Sequence, residues 1–88
     1  EGQAILSSLK IYPNPSSGLF TIKFATFQLQ NIRISVSDLV GRLVYTHEYG
    51  SINGIFESAL DLGDVSSGVY TVNIHIGDYS FHRRVLVK

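Results

Sequence analysis

The chain has 88 residues, 44% of them hydrophobic, which suits one small domain with one core. Seven basic residues balance seven acidic ones, which argues against a nucleic-acid binder with its basic face. Cysteine is absent, excluding disulfides, thiolate metal sites and cysteine nucleophiles, and no apolar run approaches the ~18–20 residues of a membrane-spanning helix.

The zero balance conceals a split. Residues 1–81 hold four Lys/Arg against seven Asp/Glu, net −3, while 82–88 add Arg83, Arg84 and Lys88, net +3. Val, Ile, Thr, Phe and Tyr total 31 residues against 12 of Ala, Glu, Lys and Gln, which selects strands over helices. Eleven serines and eight glycines suit turns and a neutral polar surface. A start at Glu1 rather than Met points to a piece of something longer.

In chain order, residues 1–8 show no period and read as a linker remnant, with the domain proper expected over 9–88. Leu9 to Tyr12 is a brief apolar run halted by Pro13 and Pro15, which lack backbone donors; the two rings are expected to hold Tyr12 to Ser16 extended and out of any ladder. Leu19 to Ala25 alternates, with Phe20, Ile22 and Phe24 on one face and Thr21 and Lys23 on the other. Ile32, Ile34 and Val36 alternate with Arg33, Ser35 and Ser37. Asp38 to Gly41 reads as a turn into a strand Arg42 to Tyr49 whose two faces are mixed. Asn53-Gly54 is a turn dipeptide leading to a strand Ile55 to Leu62 and a loop through Gly63, Asp64, Ser66 and Ser67. In the strand opened by Gly68, Tyr70, Val72, Ile74 and Ile76 alternate with Val69, Thr71, Asn73 and His75. Gly77-Asp78 forms a two-residue hairpin loop into Tyr79 to Lys88. These seven segments predict a small antiparallel, immunoglobulin-like sandwich.

No catalytic, cofactor or metal site is expected. His47, His75 and His82 form no HxH or HxxxH pair, although His75 and His82 share the Gly77-Asp78 hairpin. Asp38, Asp61, Asp64 and Asp78 stand in turns, where the side chain bonds nearby backbone N–H groups, and Asp61 with Asp64 supplies too few oxygens for calcium. No G-x-S-x-G elbow is present. A carbohydrate-binding or purely structural accessory module is the alternative, with Tyr45, Tyr49 and Tyr79 the candidate sugar platforms.

Four stretches stand out by motif. They are Tyr12-Pro13-Asn14-Pro15 with Gly18, Asp38 with Gly41-Arg42, Leu62 through Gly68 to Tyr70, and the basic-then-aliphatic Arg83-Arg84-Val85-Leu86-Val87-Lys88. In this order and spacing the chain resembles the type A C-terminal sorting domain of type IX (Por) secretion on cargo proteins of Bacteroidetes. The resemblance implies a non-catalytic export signal for a protein that is secreted or displayed at the cell surface by way of the periplasm. Its implied partners are translocon components and a sortase-like peptidase, with linkage of the cargo to anionic lipopolysaccharide. The physical roles expected are positive φ at Gly18 and Gly41, close backbone approach at Gly68, and a buried Tyr70 ring whose hydroxyl reaches the backbone. For Arg83 to Lys88 two roles are open: protecting a sheet edge, or recognition by strand addition.

Overall fold

A computed structural model describes residues 2–88. Chain order is α1 (Gly2–Ser8), β1 (Lys10–Tyr12), β2 (Leu19–Ser37), β3 (Leu43–Asp61), β4 (Gly68–Ile76) and β5 (Tyr79–Val87), and every ladder is antiparallel. The all-β class holds, but the strand count is corrected from seven to five. The predicted pairs Leu19–Ala25 with Ile32–Ser37, and Arg42–Tyr49 with Ile55–Leu62, are halves of the two 19-residue strands β2 and β3.

Length shows why these read as separate strands. Nineteen residues at about 3.3 Å each span roughly 60 Å, yet the longest dimension of the molecule is 37 Å. Both strands must therefore fold back on themselves. The bend lies where Thr26 pairs with Gly54 and Gln30 with Ile52, so that Phe27, Gln28 and Leu29 stand opposite Asn53 alone. An excess of residues on one strand bends it and sharpens its twist. Asn53-Gly54 is thus not a hairpin turn: Gly54 keeps a φ of 104° inside β3 at this bend.

The bend divides the single curled sheet into two parts. One contains β1, residues 19–26 of β2 and 54–61 of β3; the other contains residues 43–52 of β3, 30–37 of β2, then β4 and β5. The period-2 faces read from the sequence point inward from both parts. Phe20, Ile22 and Phe24 join Ile34, Val36, Val72, Ile74 and Val85 in one core. Phe24 stacks on Phe56 at 4.8 Å, and Tyr49 meets Phe56 edge-on at 4.9 Å, joining the two halves of β3. The mixed faces of the first half of β3 come from two bulges that place Val44 and Tyr49 as extra residues against β2. A bulge shifts alternation by one, so both faces carry apolar residues there.

Residues Gly2–Ser8 are also corrected. They form a helix whose Ile5 is fully buried in the core. Ser8 Oγ accepts the Ala25 N–H and donates to the Ile5 carbonyl, bonding β2 just beyond the end of β1. Seven residues are too few turns for a helical period to show in sequence. No helix among the described residues is long and apolar enough to cross a membrane.

Candidate functional site

The prolines do not hold Tyr12 to Ser16 extended. The chain bends through Pro13, Asn14 and Pro15, both X–Pro peptide bonds are cis, and Ser16 enters a parallel bridge with Val87. The reason lies in Asn14, whose amide is both donor and acceptor. Asn14 Nδ2 donates to the Arg84 carbonyl at 3.1 Å, and Oδ1 accepts the Leu86 N–H at 3.0 Å. Two residues on, the Ser16 N–H donates to the Leu86 carbonyl and the Ser16 carbonyl accepts the Lys88 N–H, at 2.8 and 2.9 Å. Side chain and backbone together therefore act as a partner strand along the end of β5. Ser16 Oγ also accepts the Gly18 N–H, and Gly18 has the expected positive φ, 105°.

β5 alternates as an edge strand must. Val85 and Val87 are buried, while His82, Arg84, Leu86 and Lys88 face solvent. The Arg83 guanidinium donates to the His82 carbonyl, occupying a further edge acceptor. Among the described residues the one ion pair is Arg42 with Asp38, which leaves Arg83, Arg84 and Lys88 without a carboxylate partner.

The Asp38 turn is held by its carboxylate. Oδ1 accepts the backbone N–H groups of Val40 and Arg42, and Oδ2 accepts Arg42 Nε at 3.1 Å. These contacts, the Arg42 N–H foremost, keep the Asp38 carboxyl below its ordinary pKa. Gly41 takes a φ of 86° there, and Leu39 and Val40 are left exposed at the tip. The Tyr70 ring is buried and its hydroxyl donates to the Ser66 carbonyl. Close approach at Gly68 is corrected: nothing lies within 4 Å of where a Cβ would stand, and its φ of 156° is what L side chains rarely adopt. The Asp38 turn faces residues Asp64 to Tyr70, a loop running into the start of β4, across an open groove of about 530 Å³.

These connections bring all four motif stretches to one end of the molecule. Lys88 bonds Ser16, the Gly18 carbonyl accepts the Leu62 N–H, and Gly68 pairs with Val87. Residues 64–70 then meet the Asp38–Arg42 turn in the groove. Residues 14, 40, 63 and 86 are far apart in sequence; the topology makes them one surface. Asn14 as a ladder surrogate and the role of Ser16 escaped the sequence reading. An Asn between two prolines, where the backbone offers few donors, was the available signal.

The other candidates lie elsewhere. Tyr45, Tyr49 and Tyr79 are half-buried and packed against the core. The Tyr45 and Tyr49 hydroxyls share a 2.9 Å hydrogen bond, and burial together with that bond pushes Tyr45 up to about 12. Side chains held this way are partly covered by the core rather than displayed as exposed platforms. His75 bonds Ser80, and His82 bonds Asn73 two pairs away. Burial, then the charges of Arg33 and His82, pull His75 below its ordinary pKa. Among the described residues no three His or carboxylate groups converge on a metal position.

Turns and a strand end fixed by backbone hydrogen bonds thus surround an open groove at one end of the domain. The family model of the secretion system C-terminal sorting domain matches residues 10–88, and the chain belongs to that family. That family is a non-catalytic sorting signal of type IX secretion. The chain is also similar to an endo-acting ulvan lyase of Formosa agariphila, 25% identical over 89 residues. That match covers all of this chain and 16% of the lyase, so the chain spans about a sixth of that relative.

Proposed function

We propose that residues 9–88 are an immunoglobulin-like sandwich that translocon components recognise at the end where the four motif stretches meet. The surface comprises Asn14, the Asp38–Arg42 turn, the Gly68–Tyr70 start of β4 and the strand end Arg83 to Lys88. Convergence of these stretches through named backbone bonds is the observation that carries the reading. Tyr12, Pro13, Pro15, Gly18, Gly41 and Tyr70 shape this end, while Arg83, Arg84 and Lys88 supply the charge that a partner reads. The cations exceed what packing of Val85 and Val87 needs, and among the described residues no carboxylate pairs with them.

In this reading the cargo precedes residue 9, crosses the periplasm with the domain attached, and leaves through the outer membrane. A sortase-like peptidase then cuts between cargo and domain and joins the cargo to anionic lipopolysaccharide. The pinned edge alters the expected recognition route. Asn14 and Ser16 already occupy the Arg84 carbonyl, both backbone groups of Leu86 and the Lys88 N–H, so side chains rather than strand addition carry recognition at β5. The test is a reporter fused to the chain with Arg83, Arg84 and Lys88 replaced together by Gln. Folded protein retained in the periplasm supports the reading; normal export of the folded variant overturns it.

A further inference from the structure

The sheet edges of this molecule are treated unequally. β5 is covered by Asn14 and Ser16, and Arg83 caps one of its carbonyls. β3 pairs with β2 alone, so its outer side is an edge from Leu43 to Asp61. The first half of that edge is broken by the bulges at Val44 and Tyr49. The second half is regular: it runs without a register shift from Thr26↔Gly54 to Leu19↔Asp61.

Two hydrogen bonds give the direction of its backbone groups. The Leu62 N–H donates to the Gly18 carbonyl, and the Gly54 N–H donates to Thr26 Oγ1, so the even-numbered residues turn toward β2. By alternation, the N–H and C=O groups of Ile55, Glu57, Ala59 and Asp61 point outward. The side chains of these same four residues are exposed, with Ile55 72% accessible. No Pro, Lys or Arg blunts the stretch, and β3 carries Glu48, Glu57 and Asp61 with no Lys or Arg anywhere along it.

We infer that the outer edge of β3 at Ile55–Asp61 is a strand-addition site for an extended cationic segment of a partner protein. Outward backbone groups on alternate residues require an extended partner backbone. Glu57 and Asp61, four residues apart on one face, require Lys or Arg at the same spacing, and Ile55 requires an apolar neighbour. Glu57 already accepts the Tyr12 hydroxyl through Oε2, which fixes its carboxylate and leaves Oε1 for a partner's cation. A second copy of this chain is the poorer occupant. β3 against β3 would bring four carboxylates together, and the basic strand β5 is occupied along its edge.

The test uses the purified chain and an octapeptide with two Lys four residues apart and Val at the other positions, N-methylated at every second residue so that only one edge can pair. The lysine peptide is expected to slow amide exchange at Ile55, Glu57, Ala59 and Asp61 about tenfold at saturation, and to weaken as salt rises past about 0.15 M. An otherwise identical glutamate peptide is expected to leave those amides unprotected. Glu57→Lys with Asp61→Lys keeps the backbone and should reverse the preference; Ala59→Pro removes an outward donor and should abolish binding. Equal protection by both peptides, protection at β5 instead, or concentration-dependent dimers without peptide would overturn the site. Because no export step enters the readout, this result and the recognition reading of β5 stand or fall separately.

Discussion

Replacing Asn14 by Ala removes the two bonds that make this side chain a partner strand for β5. Each is a neutral hydrogen bond at the surface, worth about 0.5–1.5 kcal/mol net, so the expected loss is roughly 1–3 kcal/mol. In a domain of this length each kcal/mol moves the melting temperature by about 4–8 °C; even the low end is easily measured. The loss should be local as well as global. The Leu86 N–H loses its acceptor, the Ser16 bonds on either side lose their anchor, and amide exchange at Leu86 and Lys88 should rise before the rest of β5. Asn14→Asp separates the two contacts: it keeps the acceptor for Leu86 but turns a carboxylate oxygen toward the Arg84 carbonyl. Its deficit should be at least that of Ala at pH 7 and should shrink below about pH 4, where the carboxyl can donate. Urea or thermal unfolding with exchange read by NMR decides it. An Asn14→Ala melting point within about 1 °C of the parent, with Leu86 still protected, would refute the clamp.

Three further outcomes follow from the same geometry. Tyr70→Phe leaves the ring buried but strands the Ser66 carbonyl, so stability should fall by about 0.5–1.5 kcal/mol, with faster exchange confined to residues 63–68, measured by unfolding and amide exchange. Asp38 is held below its ordinary 3.8, so its contribution is present above that pH and lost as pH falls through the folded value. Asp38→Asn should flatten that acid limb in pH-dependent unfolding. His75 has a folded pKa below its ordinary 6.5, so the unfolded chain takes up the proton first. Stability should decline as pH drops below 6.5 and level off beneath the folded value, and His75→Asn should remove that step.

Much of the fold was legible because its strands are half-buried. Phe20, Ile22 and Phe24, and later Tyr70, Val72, Ile74 and Ile76, alternate cleanly, and period 2 directly encodes which face meets the core. The Gly77-Asp78 hairpin was legible for the same local reason, and Ile76 does pair with Tyr79 across it. Continuity of β2 and β3 was not. A bend made by three residues opposite Asn53 looks, in sequence, like the end of one strand and the start of another, and Asn53-Gly54 supplied the wrong turn. Bulges at Val44 and Tyr49 likewise erase the alternation that would have oriented that half of β3. The motif stretches could be read one by one, but their assembly could not. It depends on Asn14 and Ser16 reaching β5 across some seventy residues, a contact that no local pattern encodes.

Whether this chain is an export address is tested most directly by fusing all 88 residues to a periplasmic reporter in a type IX-competent host and in a strain lacking the translocon. The account predicts reporter at the cell surface or in the medium of the competent host, and in the periplasm of the deficient strain. Reporter held in the periplasm of both would contradict it.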